Sequence, residues 1–252
     1  MKRFLTMIIG SNIIFHNELI STNTCAALLL KQQKPPEGTV IHANFQTAGK
    51  GQKGNIWVSE AGKNLLFSII LFPDMIKPEE QFGISMAISL GICDFLNKLI
   101  PVCSIKWPND IYAGDDKIAG ILIENSIRGG NIESSIAGIG LNINQVIFPS
   151  YLPNPVSLKL ITGKEHDPDY CLNELLSSLD KRYKMLISRP SDTLKNDYAS
   201  SLYRLGEWHS YKSAGNYFYG RIVDVTGSGC LRVEDEKMNI RQFSFKEIEF
   251  IP

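Results

Sequence analysis

Two stretches of this 252-residue chain set lysine, carboxylate and amide side chains at spacings suited to work on anions. Lys106-Trp107-Pro108-Asn109-Asp110 is followed, across Ala113-Gly114-Asp115-Asp116, by Lys117-Ile118-Ala119-Gly120-Ile121-Leu122-Ile123-Glu124. The pattern reads as two strands around a tight turn. Lys106 and Asp110 end one strand and Lys117 starts the next, so three polar heads can converge. A lysine so placed can bridge a carboxylate and a phosphate, and an aspartate can hold Mg²⁺. The plainer reading is a solvated hairpin with an ordinary surface ion pair.

The other stretch is Gln46-Thr47-Ala48-Gly49-Lys50-Gly51-Gln52-Lys53-Gly54-Asn55. Its glycines exclude a buried element and predict a loop whose backbone N–H groups can approach an anion, with Lys50 and Lys53 adding charge. Residues 49–54 match Gly-x-Gly-x-x-Gly, but Ile56-Trp57-Val58 follows where a dinucleotide fold needs a helix. Asn55 stands where a P-loop needs lysine. Further along, Gly138-Ile139-Gly140-Leu141-Asn142-Ile143-Asn144 alternates at period two. One face of such a strand packs inward, while Gly138, Gly140, Asn142 and Asn144 line the other. Strand glycines mark close approach by a ligand or by other protein atoms.

The elements that must position these residues follow from periodicity and punctuation. An extended stretch over 11–21 leads into a helix over 22–33, capped by Ser21 or Thr22 and stopped by Pro35-Pro36. Strands are expected over 39–45 and 64–72. Pro78-Glu79-Glu80 opens a long helix to about residue 100, apolar nearly all round and therefore buried. Strands over 104–112, 117–125 and 131–144 precede helices over 168–188 and 190–204, with Pro190 at the break. From Trp208 onward, β-rich pieces (217–225, 230–234, 240–245) suit a small appended barrel. The fold class expected is α+β with a mixed or antiparallel sheet, divided into residues 1–204 and 205–252.

Composition narrows the functional classes. The 26 basic and 26 acidic side chains cancel, which argues against a polyanion as the main partner. Five scattered cysteines and four scattered histidines form no CxxC pair and no zinc-ligand cluster, so a reducing compartment and no zinc site are expected. The longest apolar run, residues 65–72, is far short of a membrane span, and Met-Lys-Arg-Phe-Leu at the N-terminus leads into no signal-peptide pattern. A cytoplasmic protein is the expectation.

Together these segments resemble the biotin protein ligase family. The resemblance rests on Ser21-Thr22-Asn23, Gln46 through Trp57, Lys106 through Asp110, Lys117 through Leu122 and Gly138 through Asn142, in the family's order across about residues 11–145. It implies a class II synthetase-like catalytic domain with a small SH3-like C-terminal domain. The implied activity is that of a biotin–[biotin carboxyl carrier protein] ligase, which makes biotinyl-5′-AMP from biotin and MgATP and passes the biotinyl group to one lysine of a carrier domain. By match, Lys117 is the principal catalytic group, with Asp110 and Lys106 beside it and Asp110 and Asn109 at the metal-ATP end. Ser21, Thr22, Asn23, Gln46, Gly49, Lys50, Lys117, Gly120, Gly138 and Gly140 would surround biotin. Lys50, Gly51, Gln52, Lys53, Gly54, Trp57, Asn109 and Asn142 would surround the adenylate.

The loop departs from the family, which carries arginine at three or four of the places where Lys50, Gln52, Lys53 and Asn55 stand here. Lysine keeps charge without the bidentate fork, and Gln52 and Asn55 lose the charge. Looser retention of biotinyl-AMP is expected. No DNA-binding winged helix fits before Ser21, so a ligase without repressor activity is expected, with a homodimer through strand edges near 104–144 possible. Two rival readings are a lipoate or octanoate ligase or transferase of the same fold, and a non-catalytic biotin- or nucleotide-sensing module.

Overall fold

The structure, a computed structural model, describes residues 7–188 and 192–251. Pro190 and the side chain of Lys53 lie outside the described residues. The chain opens with β1 (Ile13–Leu19), α1 (Thr22–Gln32) and β2 (Thr39–Gln46), and β1 runs parallel to β2 with α1 as the crossover. Ser21 occupies the N-cap of α1 in extended conformation, but its side chain makes no capping bond.

The glycine-dense stretch is more ordered than a loop. β3 (Gly49–Lys50) pairs with β4 (Ile56–Trp57) around a single 3₁₀ turn, Gln52–Gly54. β5 (Asn64–Leu71) is buried along its whole length. Pro78–Glu80 forms a separate 3₁₀ turn, so α2 (Phe82–Leu96) is shorter at both ends than the apolar run predicts. The expected strand over 104–112 is in fact two, β6 (Ser104–Lys106) and β7 (Asp110–Ala113), because Trp107-Pro108-Asn109 turns the chain back on itself. β8 (Asp116–Arg128) and β9 (Asn131–Asn142) follow as a long hairpin.

These strands form a seven-stranded mixed sheet in the order β1-β2-β5-β9-β8-β7-β6. α3 (Leu158–Thr162), which the pattern did not predict, is capped by Ser157. α4 (Pro168–Ser188) and α5 (Asp192–Ser200) follow. The helices α2, α4 and α5 bury Phe67, Ile69, Ile121, Ile139 and Leu141 on one face of the sheet. On the other face, α1 covers Ile41, Ile70 and Ile136 through Ala26. Strand alternation therefore directs Ser68, Gly138, Gly140, Gly120 and Glu124 to the α1 side, where the helix leaves part of the sheet open.

β10 (Trp208–Ser213), β11 (Asn216–Val225), β12 (Leu231–Asp235), β13 (Ile240–Phe243) and β14 (Glu249–Phe250) form a separate antiparallel sheet in the order β13-β12-β11-β10-β14. Its buried residues, including Tyr211, Ile222 and Val233, are continuous with the main core. Of the edges near 104–144, β6 at the sheet margin is bonded to residues 201–203 (Ile105 N to Ser201 O, 2.7 Å; Tyr203 N to Ile105 O, 2.9 Å). β8 beyond Gly120 pairs only with β9, so its outer edge over residues 122–128 has no strand partner among the described residues. Among the described residues, no helix is long and apolar enough to cross a membrane.

Candidate active site

The positioning of Lys117 depends on an irregularity. β7 and β8 pair Asp110 with Gly120 and Ile111 with Ala119, then shift so that Lys117 rather than Ile118 faces Tyr112. A regular ladder would put Lys117 on the core face with Ile111 and Ala119. The extra residue turns it to the open face, as bulges do near functional sites. There Lys117 Nζ meets Asp110 Oδ1 at 2.7 Å and stands 5.7 Å from the Trp57 ring centroid. The preceding turn is clamped to β8: Asn109 Nδ2 donates to Ile121 O (2.7 Å), and Ile121 N donates to Asn109 O (3.0 Å).

Of the three expected polar heads, Lys117 and Asp110 are in direct contact, while Lys106 lines the adjoining cavity with them. Lys106 donates to Tyr112 Oη at 2.9 Å, its Nζ standing over the rings of Tyr112, Tyr203 and Phe250.

Beside the Lys117–Asp110 pair lies a polar cleft lined by Ser21, Thr22, Asn23, Gln46, Lys50, Gly51, Gln52, Asn109, Gly120, Gly138 and Gly140. Its floor is a buried hydrogen-bond chain. Thr22 donates its N–H (2.7 Å) and its hydroxyl (3.1 Å) to Gln46 Oε1, which leaves the Gln46 amide N–H groups for a ligand. Ser68 Oγ lies 2.7 Å from Thr22 Oγ1 and 2.6 Å from Asn23 Oδ1. Asn23 Nδ2 donates to Glu124 Oε2 at 2.7 Å, and Glu124 in turn faces Lys50 Nζ at 3.9 Å. Both ends of the Asn23 amide are thus occupied by protein, so Asn23 braces the site.

Ser68 and Glu124 were not among the residues singled out by sequence. The signal was present for Ser68, the one hydroxyl in an apolar run, because a polar group buried in such a strand must find a partner.

A larger cavity continues on the far side of the Lys117–Asp110 pair, lined by Gly54, Trp57, Lys106, Tyr112, Asn142, Tyr151, Pro153 and Asn154. Asn142 Nδ2 donates to Val156 O at 2.9 Å, while its Oδ1 is buried without a partner among the described residues. Trp57 Nε1, also without one, lies against Gly140 on the side of the polar cleft. Buried polar atoms left open at a cavity fit a ligand that satisfies them. Asn144, expected on the same face, instead reaches the backbone of His166 (Asn144 Nδ2 to His166 O, 2.7 Å).

The strand glycines are needed for protein–protein closeness. A Cβ on Gly138 would overlap Asn23 Oδ1, and one on Gly140 or Gly120 would overlap the Trp57 indole. Gly49 is likewise crowded by the backbone of Trp57 across the β3–β4 pair.

The donor set also fits a magnesium ion that arrives with a nucleotide. Among the described residues no group of three or more metal-ligating side chains exists, and Asp110 is a single carboxylate beside Asn109. Mg²⁺ is held in that way, by one or two carboxylates and the phosphates of its substrate.

Comparison with known proteins places this geometry. Residues 17–142 match the family described as "Biotin/lipoate A/B protein ligase family". The bifunctional ligase/repressor BirA of Bacillus subtilis is 29% identical over 248 residues, covering 97% of this chain and 75% of that protein. The biotin–[acetyl-CoA-carboxylase] ligase of Paracoccus denitrificans is 28% identical over 84% of this chain and 91% of its own. The biotin protein ligase of Aquifex aeolicus, solved in complex with biotin and ATP, superposes with a TM-score of 0.79 at 27% identity over 95% of this chain and 98% of that one. With its matched half carrying both the polar cleft and the Lys117–Asp110 pair, the chain belongs to the biotin/lipoate A/B protein ligase family.

Proposed function

We propose that this protein joins biotin to ATP as biotinyl-5′-AMP and transfers the biotinyl group to a lysine of a biotin carboxyl carrier domain. The observation that carries the reading is the Lys117–Asp110 pair, which lines both the small polar cleft and the larger cavity beyond it. A carboxylate in the first and an α-phosphate in the second would meet at that pair. In the first step a biotin carboxylate oxygen attacks the α-phosphorus and pyrophosphate leaves. In the second the carrier's amine attacks the acyl carbon, loses a proton, and AMP leaves.

Two anions repel at the first step, and Lys117 can neutralise both, exchanging its bond to Asp110 for bonds to the reacting oxygens. Asp110 and Asn109 would hold Mg²⁺, which supplies further neutralisation of phosphate charge. Gln46, Thr22 and Ser21 suit the neutral ureido ring, which needs placed hydrogen bonds and no charge. Trp57, through its ring, and Asn142, through its unpartnered Oδ1, suit the adenylate, with Lys50 and Gln52 closing over it. Biotinyl-AMP is a mixed anhydride, so the β3–β4 segment must exclude water while it waits.

The likeness to a ligase solved with biotin and ATP supports the choice of substrates. We further propose that residues 205–252 act as a separate SH3-like domain, that the chain is cytoplasmic, and that it binds no specific DNA operator, the last in keeping with its zero net charge. A homodimer could use the outer edge of β8 over residues 122–128, which pairs with no other strand among the described residues.

The test is incubation with biotin, MgATP and a carrier domain, read by mass gain of one biotinyl group on the acceptor. Parallel reactions with lipoate and octanoate decide the acid, and biotin-dependent pyrophosphate release separates an enzyme from a sensing module. Acceptor modified with lipoate but not biotin would overturn the substrate choice.

A further inference from the structure

The turn that carries Asn109 and Asp110 is held at two ends, and its second anchor lies in the C-terminal sheet. Trp107 is 4% exposed, and its indole N–H donates to the carbonyl of Gly229 at 2.9 Å, joining residues 122 positions apart. The acceptor is fixed in place. The 226–230 turn is closed by Thr226 N to Cys230 O (2.8 Å), Gly229 N to Thr226 O (2.9 Å) and Cys230 N to Thr226 Oγ1 (3.0 Å). Gly229 has φ of 93° and seats against Phe82, where a Cβ would fall 2.6 Å from the ring, so glycine alone brings this carbonyl so close. Phe245 packs edge-on to the Trp107 ring at 5.3 Å, and its ring centroid lies 6.3 Å from that of Phe82. The neighbouring Lys106 also reaches across, with its Nζ 5.3 Å from the Phe250 ring centroid.

We infer that Trp107 is a positioning residue through which the C-terminal sheet sets the catalytic turn and thereby the affinity for MgATP. The inference rests on the proposed assignment of Asn109 and Asp110 to the metal-ATP end. One side of the turn is bonded to Ile121 on β8, and the other is bonded to Gly229. Loss of the Gly229 bond frees the turn to shift relative to Lys117. The biotin cleft is braced independently, by the Gln46–Thr22–Ser68–Asn23–Glu124 chain on β2, α1, β5 and β8. Asn109 and Asp110 also line the mouth of the polar cleft, but the groups assigned to the biotin ring are held without the turn, so the effect of Trp107 falls chiefly on MgATP.

The experiment compares the native chain with Trp107→Phe, which removes the N–H and keeps an aromatic ring, and with Phe245→Leu, which loosens the same contact from the other side. Biotin and MgATP are each titrated by calorimetry, and the MgATP dependence of biotin-dependent ATP–pyrophosphate exchange gives KM and kcat. Both variants are expected to weaken MgATP by about fivefold or more, the scale of one lost hydrogen bond, with biotin affinity within about twofold of native. MgATP affinity within twofold of native in folded variants overturns the inference. Biotin and MgATP affinities falling by the same factor also overturn it, since that marks general loosening. If Trp107→Phe does not fold, Phe245→Leu decides on the same ratio. Exchange absent from the native chain overturns the biotin-ligase reading instead, and the calorimetric MgATP ratio still decides the role of Trp107.

Discussion

Lys117 Nζ and Asp110 Oδ1 lie 2.7 Å apart across a bulged step between β7 and β8, on the same open face of the sheet. The pair is partly exposed, so its own contribution to stability is small. Its value lies in holding a cation where two anions would meet. Lys117→Ala is expected to lower biotin-dependent ATP–pyrophosphate exchange by about 10²–10³-fold, the range seen when one preorganised charge-stabilising donor is removed. Native-rate exchange in that variant would remove Lys117 from the mechanism. Asp110→Asn should keep the fold and lose MgATP affinity before biotin affinity.

Ser68 connects Thr22 to Asn23 inside the sheet (2.7 and 2.6 Å), at a position with no solvent exposure. Ser68→Ala strips a partner from two buried polar groups, a loss of about 1–3 kcal/mol. Biotin binding should weaken by about tenfold while MgATP binding holds, as read by calorimetry on each ligand separately. Equal weakening of both ligands would show that Ser68 supports the whole sheet and not the cleft.

How much of this was legible in the sequence depended on whether the determining interactions were local. Period-two alternation in 138–142 correctly put Gly138, Gly140 and Asn142 on one face, because side-chain direction in a strand is a local property. The apolar run around Ile84, Ile88 and Leu96 likewise announced a buried helix. What the strand glycines receive was not legible, since Asn23 and Trp57 come from distant elements. The bulge at Ile118 was missed because register is decided across strands. The break at Trp107–Asn109 did carry a local signal, Pro108, which cannot donate to a sheet ladder from inside a strand. Lys106, expected near Lys117, does line the same cavity, but its ammonium is held by an aromatic cluster of Tyr112, Tyr203 and Phe250 that was not legible, because two of those rings arrive from beyond residue 200. α3 is only five residues long, too short to show helical periodicity.

Gly140 and Gly120 are register partners on β9 and β8, and the Trp57 indole lies over both. Gly140→Ala should displace that indole and cost about 1–3 kcal/mol, the usual range for overpacking. A thermal melt should show a lowered Tm. If the clash with Trp57 is the cause, adding Gly140→Ala to a Trp57→Ala background should lower Tm much less than adding it to the native chain. Equal decrements in the two backgrounds would locate the strain elsewhere.

Gln52 sits at the edge of the polar cleft, in the 3₁₀ turn between β3 and β4, where the resembled family carries arginine. A neutral amide there cannot offset the phosphate charge of a bound adenylate, and it lacks the planar fork that would grip it. Restoring both features with Gln52→Arg should slow the escape of biotinyl-AMP. A gain of one charge-assisted bond, about 1.5–3 kcal/mol, corresponds to slowing by roughly ten- to a hundredfold. The measurement is a chase: enzyme loaded with labelled biotin and MgATP, diluted into unlabelled biotin, with the protein-bound label followed over time. Dissociation at the same rate from the native chain and from Gln52→Arg would mean that the β3–β4 segment retains the intermediate by closure alone, without help from charge at position 52.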